Sequence, residues 1–273
     1  MKVAVTGKGG VGKTSFSSLL AGLLAREGRR PLAIDADPDT NLADSLGFPD
    51  AGGIVPIAEM KEMIAERMGT TPDSIGTFFK LNPRVSDIPD MFMREREGVR
   101  LIVMGMVKRG GAGCACPENA FLKVLLSHVL LGQDEDVVVD LEAGLEHLGR
   151  GTVAEVDGLA VVVEPTLRSL DTLFRVDQLA QDIGLKRIWP VANKIESEED
   201  REFLQSNAPN HDFVGWLPYS RDVVKAHRGQ MPVRDVEDKV WKEVESTLER
   251  MRRDIASAGE NGSKAPKGSA RTL

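Results

Sequence analysis

No apolar run in this sequence reaches the roughly 18 residues that would suggest a bilayer span. Nothing before Val3-Ala4-Val5 has the apolar region of a signal peptide. A cytoplasmic protein is therefore expected. Positive charge is in short supply as well: 35 Lys and Arg stand against 42 Asp and Glu, a formal net charge of −7. Neutralising nucleic-acid phosphates takes clustered cations, so nucleic acid is not expected as a main partner. Cysteine is scarcer still, with only Cys114 and Cys116. That excludes a disulfide framework, and a bridge across one residue would be strained. The four histidines are scattered, none at metal-ligand spacing with the cysteines.

What is present describes a globular chain. Its 273 residues, 41% hydrophobic and 28% charged, suffice for one large α/β domain or two small ones. Short β-branched runs alternate with helix-length amphipathic segments, the pattern of a mostly parallel sheet flanked by helices on both faces. Strands are expected at 2–6, 31–35, 100–104, 137–140, 159–163, 187–191 and 212–216, and helices at 13–27, 58–68, 119–130, 169–182, 199–205 and 240–255. The stretch 48–98 is irregular and holds several prolines. Val240, Val244, Leu248, Met251 and Ile255 recur at helical spacing. Such a stripe marks a helix docked on the core, in preference to one lying on a membrane surface. A single α/β domain over 1–257 is expected. It is followed by a small, polar segment, 258–273, that lacks the apolar area to offset its ordering entropy and is expected to be disordered.

Gly7-Lys8-Gly9-Gly10-Val11-Gly12-Lys13-Thr14 fits G-x-x-x-x-G-K-[ST] between a strand and a helix, the context the motif requires. Glycines let backbone N–H groups turn inward around phosphate oxygens, and the helix behind points its positive end at them. Lys13 is expected to reach the β/γ-phosphates of ATP and the Thr14 hydroxyl to ligate Mg²⁺.

Asp35-Ala36-Asp37-Pro38-Asp39-Thr40-Asn41 follows the second expected strand, at the carboxyl edge where open α/β sheets bind ligands. Phosphoryl transfer to water needs a group that positions the nucleophile. Val137-Val138-Val139-Asp140 is an apolar strand ending in a carboxylate, as a Mg²⁺-bearing Walker B element is.

Cys114-Ala115-Cys116 follows a glycine-rich run and precedes Pro117, a residue suited to the first position of a helix. A thiol at a helix N-terminus is favoured as thiolate, hence as a metal ligand. Two thiolates are too few for a closed tetrahedral site, but a two-fold dimer supplies four. Soft sites of this kind suit Zn²⁺, Cu(I), iron–sulfur clusters and low-coordinate Ni²⁺.

The second lysine of the loop, Lys8, resembles that of the deviant Walker A family, which includes MinD and ParA ATPases and the nitrogenase iron protein. Together with Asp140-Leu141-Glu142-Ala143-Gly144-Leu145-Glu146-His147-Leu148-Gly149-Arg150-Gly151-Thr152 and Cys114-x-Cys116, the chain resembles the CooC family over residues 1–255. These are ATPases that mature nickel-containing carbon monoxide dehydrogenase. The resemblance implies a cytoplasmic homodimer that binds ATP or ADP with Mg²⁺ and carries one Ni²⁺ or Zn²⁺ between paired Cys-x-Cys motifs. It implies carbon monoxide dehydrogenase, or the related acetyl-CoA synthase, as client. Asp37 then matches the switch-I aspartate, Lys8 reaches the partner's nucleotide, and Lys8, Lys13 and Asp37 form the catalytic set. Nucleotide binding falls to Gly9, Gly10, Val11, Gly12, Lys13, Thr14, Ser15, Asp140, Gly144, Asn193, Lys194 and Pro218. Among these, Gly144 senses the γ-phosphate, Asn193-Lys194 recognises adenine, and Pro218 flanks the base. Asn41 stands where the iron protein has a second aspartate, a departure from its pattern. His147 is assigned to packing. A positioning ATPase without metal, an iron–sulfur carrier and a non-hydrolysing nucleotide scaffold are the competing readings.

Overall fold

The computed structural model describes residues 1–72, 78–106, 117–132, 136–143 and 155–262, with side chains up to residue 257. The β-branched runs form strands β1 (Lys2–Gly7), β2 (Leu32–Ala36), β3 (Arg94–Arg96), β4 (Val99–Val103), β5 (Val137–Leu141), β6 (Gly158–Val163), β7 (Ile188–Ile195) and β8 (Gly215–Pro218). The described helices are α1 (Lys13–Arg26), α2 (Leu42–Ser45), α3 (Lys61–Met68), α4 (Ile88–Phe92) and α5 (Pro117–Leu131). They continue with α6 (Leu167–Ile183), α7 (Glu198–Asn207), α8 (Arg221–His227) and α9 (Asp238–Gly262).

The strands make one sheet in the order β3-β4-β2-β5-β1-β6-β7-β8. Every pairing is parallel except that of β3 with β4. Side chains alternate across the sheet. Val3, Val5 and Val138 join α1 and α9 on one face, while Ala4, Val137 and Val139 join α3, α5 and α6 on the other. Central strands buried on both faces are apolar along most of their length, as a doubly covered parallel sheet requires, with buried polar residues such as Asp35 and Asp140 confined to their carboxyl ends. The architecture is the expected one.

The stripe on α9 is core: Val240, Trp241, Val244, Leu248 and Met251 are all buried. Each such side chain gains about 1.5–3 kcal/mol by leaving water, so this face is committed to the sheet and not to a membrane. The helix sits close because Gly215 has no side chain; a Cβ there would lie 2.3 Å from Thr247 Oγ1. Among the described residues no helix is long and apolar enough to cross a membrane.

Several boundaries differ from expectation, with identifiable causes. The strand expected at 212–216 is β8, which begins only at Gly215. Val214 N–H donates to the Pro190 carbonyl at 2.9 Å, so Pro190 faces β8. Its missing N–H removes a ladder donor toward β8 just before Gly215, the first residue of β8 in register with β7. Strand β7 continues to Ile195, so Asn193 and Lys194 lie within the strand and not in a loop after it. The helix expected at 58–68 breaks at Met60, which has ψ 61°. Before that break Ile57–Glu59 forms a 3-10 turn tied to the sheet by Ala58 N–H donating to Met104 O at 2.8 Å. The irregular stretch 48–98 also holds α4 and β3, whose hairpin with β4 turns at Glu97 and Gly98, both at positive φ. Helix α9 runs to Gly262, past the start of the expected tail at 258; residues 263–273 lie outside the described residues.

Candidate nucleotide site

The loop between β1 and α1 lies at the carboxyl edge of the central strands. Gly12 caps α1 in the left-handed region, at φ 98°. A Cβ there would also strike Asn193 Nδ2 at 2.3 Å, so both conformation and space require glycine. The Asn193 amide donates to the Val11 carbonyl at 2.7 Å, and Lys194 Nζ donates to the Gly10 carbonyl at 2.7 Å. Lys194 is held in turn by Glu164 at 2.8 Å. The end of β7 thus clamps the loop from the side, a contact the sequence did not foretell.

A cleft of about 540 Å³ opens over this loop. Of the expected binding residues, Gly9, Gly10, Gly12, Lys13, Thr14, Ser15, Asn193, Lys194 and Pro218 line it, together with Asp37, Asp39 and Asn41 of the turn after β2. Val11 is buried beneath and contributes its carbonyl to the clamp. Lys8, half-buried, is not among the described residues that line the cleft. Gly144, His147, Cys114 and Cys116 lie outside the described residues.

Lys13 Nζ stands 3.7 Å from Asp37 Oδ2, both largely buried. Asp37 Oδ1 also accepts the Asp39 N–H at 2.9 Å, and Asn41 Nδ2 donates to the Asp39 carbonyl at 2.8 Å. These short-range bonds shape the turn after β2.

Below the loop sit two buried carboxylates on neighbouring strands. Asp35 of β2 and Asp140 of β5 are register partners, and both are fully buried. Burial, then the Asp140 charge, pushes the Asp35 carboxyl up to about 8. Burial raises Asp140 to about 6, opposed by Thr14, Ser17 and Lys13. Two adjacent carboxylates in a low-dielectric site disfavour double ionisation. Ser17 donates to Asp140 Oδ1 at 3.0 Å, while Oδ2 is buried with no hydrogen-bond partner. An orphaned carboxylate oxygen beside a hydroxyl is a fitting arrangement for the water shell of Mg²⁺.

Asp35 is also a junction. Its Oδ2 accepts the Leu42 N–H at 2.9 Å, where α2 begins. Its carbonyl accepts Met104 N–H at 2.8 Å and Gly105 N–H at 3.0 Å, just where the chain leaves β4 toward the cysteine segment.

The far wall was missed in the sequence. Tyr219, Ser220, Val223, Val224, His227 and Arg228, on and around α8, complete the cleft beside Pro218. His227 Nδ1 lies 3.1 Å from the Ser45 hydroxyl of α2, linking this wall to the turn after β2. A signal was available: the Ser220 hydroxyl accepts Asp222 and Val223 N–H groups as an N-cap, and serine before such a run marks a helix start.

Residues 2–233 match the family model described as the CobQ/CobB/MinD/ParA nucleotide binding domain. That defines the class: an ATPase built on a P-loop. The chain is 42% identical over 257 residues to carbon monoxide dehydrogenase accessory protein CooC of Rhodospirillum rubrum, covering 92% of this chain and 97% of that protein. It is 39% identical over 248 residues to an uncharacterized ATP-binding protein of Methanocaldococcus jannaschii, covering 90% and 95%. Among solved structures, the MinD cell division protein of Aquifex aeolicus superposes with a TM-score of 0.65 at 19% identity, covering 92% of this chain and 97% of that one. The septum site-determining protein MinD of Pyrococcus horikoshii, solved with Mg-ADP, gives 0.60 at 20%, covering 94% and 98%. These likenesses show the fold. The chain belongs to the CooC family within the MinD/ParA class of ATPases.

Proposed function

We propose that this ATPase is a dimerising metallochaperone that binds nickel through Cys114 and Cys116, shared across a two-fold axis, and helps insert it into carbon monoxide dehydrogenase. The observation that carries the proposal is the 42% identity to an accessory protein of that enzyme along nearly the whole chain. It is joined to a Cys-x-Cys pair that directly precedes the first residue of α5. Acetyl-CoA synthase is the alternative client on the same chemistry.

In this reading the loop amides and Lys13 hold the β- and γ-phosphates, with Gly9, Gly10, Gly12 and Ser15 around them. Thr14, and Asp140 through water, would hold Mg²⁺, which would offset phosphate charge. Asp37 exchanges its contact with Lys13 for the attacking water, and Lys8 reaches the partner's nucleotide. Asn193, Lys194 and Pro218 bound the base, and Gly144 senses the γ-phosphate. The Asp35 carbonyl, which anchors Met104 and Gly105, supports a path from this turn to the cysteine segment. ATP binding then favours the dimer with a four-thiolate site, and hydrolysis relaxes it so that the metal leaves.

The test is a Ni²⁺ titration of metal-free protein, with and without ADP or ATP, following thiolate-to-metal absorption and dimer mass together. One metal per dimer, lost in Cys114→Ser and in Cys116→Ser, is the expected result. Nucleotide-driven dimerisation without thiol-dependent nickel would overturn delivery in favour of a positioning switch. A brown chromophore after anaerobic purification would point to an iron–sulfur carrier.

A further inference from the structure

Helix α5 presents a face that the nucleotide chemistry leaves unused. Residues 82–86 run beside its middle and last turns and leave a shallow groove of about 580 Å³, bounded by Asn82, Arg84, Lys123, Val124, His128 and Leu131. Its floor is apolar, since Val85 belongs to the core and Val124 packs against it. Leu131 at one end is 64% exposed, and Leu81, which precedes Asn82, is 74% exposed. A single exposed leucine needs no explanation, but apolar side chains framing a groove among polar ones mark a contact surface.

The charge of the groove runs against that of the chain. Among the described residues no carboxylate lines it, whereas Arg84 and Lys123 do. Asp87, close by, is already engaged by Arg67 through two bonds of 2.8 and 2.7 Å. Arg84 approaches it only to 3.9 Å and keeps 78% of its side chain in solvent. Lys123 is exposed and has no ion-pair partner among the described residues. On a chain of net charge −7, an exposed lysine and a largely solvated arginine over an apolar floor select a ligand of opposite pattern.

We infer that this groove docks a partner protein through an acidic segment whose apolar side chains enter between Val124 and Leu131 while its carboxylates meet Arg84 and Lys123. The surface is separate from the nucleotide cleft, and the inference stands whether or not the cargo is nickel. It has a bearing on delivery all the same. Lys123 lies six residues along α5 from Pro117, on the order of 9 Å of helix, so a docked partner is held near the segment that carries Cys114 and Cys116.

The probe is a short labelled peptide of repeating Glu-Leu-Glu-Ser, compared by fluorescence anisotropy at low salt with versions carrying Lys for Glu or Ser for Leu. Saturable binding of the Glu–Leu peptide alone is expected. The doubly substituted Arg84→Glu, Lys123→Glu protein is expected to lose at least about tenfold in affinity and to bind the Lys–Leu peptide instead. Leu131→Ser weakens binding as well. None of these residues lines the nucleotide cleft, so unchanged ATP turnover certifies folded variants. Absence of binding, binding indifferent to the charge reversal, or binding indifferent to leucine in the peptide would each overturn the assignment. So would displacement of the peptide by a short oligonucleotide more readily than by unlabelled peptide. Self-association abolished by the same substitutions would make the occupant a second copy of this chain and overturn it too.

Discussion

Replacing Gly12 by alanine tests how the loop and β7 are joined. Gly12 sits at φ 98°, where a Cβ costs about 1–2 kcal/mol. The same Cβ would lie 2.3 Å from Asn193 Nδ2, so the amide must retreat by about 1 Å or more to reach van der Waals separation. That breaks its 2.7 Å bond to the Val11 carbonyl. Leaving this buried acceptor unmatched costs about 1–3 kcal/mol. The two together give a loss of about 2–5 kcal/mol, read by urea denaturation without nucleotide. In an Asn193→Ala background the clash and the bond are already gone, so Gly12→Ala is expected to cost only the backbone term of about 1–2 kcal/mol. Calorimetry of ATP binding is expected to follow the same order, because the displaced loop no longer presents its amides. Equal costs in the two backgrounds would refute the reasoning, for then the contact with Asn193 contributes nothing.

Asp37→Ala is expected to lower ATP turnover by about 10²–10⁴-fold while binding persists through Lys13 and the loop amides; a single-turnover assay with parallel calorimetry decides it, and undiminished turnover removes Asp37 from the chemistry. The buried carboxylates make a pH prediction. Asp35 and Asp140 have folded-state values near 8 and 6, above the ordinary carboxylate value of 3.8. The folded chain therefore holds more protons than the unfolded one between about pH 4 and 8, and stability falls as pH rises through that window. In metal- and nucleotide-free protein the melting temperature is expected to drop from pH 5 to 8. Asp35→Asn is expected to flatten the upper part of that slope, and a variant with the wild-type slope would show that the pair does not titrate there.

The sheet and its covering helices were legible in the sequence because their periods are local properties. A β-branched run such as Val137–Leu141 has no solvated face, and the α9 stripe repeats at helical spacing. The exceptions share a cause, which is that a distant residue decides. Where β8 begins depends on Pro190 across the ladder, and where the expected helix at 58–68 breaks depends on a tether to Met104.

The same division runs through the site. The sequence by itself determined the phosphate loop, since the positive φ of Gly12, the helix N-terminus and the Lys13-Thr14 pair are written within eight consecutive residues. It also determined that two thiols stand two positions apart. Only the tertiary structure decided that Asn193 and Lys194 grip that loop, that α8 closes the cleft, and that Ser17 supports Asp140. It alone set Asp35 and Asp140 side by side, for they are 105 positions apart in the chain and meet as register partners on adjacent strands. Their raised proton affinity belongs to neither residue's sequence neighbourhood. It arises from removing two like charges from water at one sheet edge, and that is a property of packing.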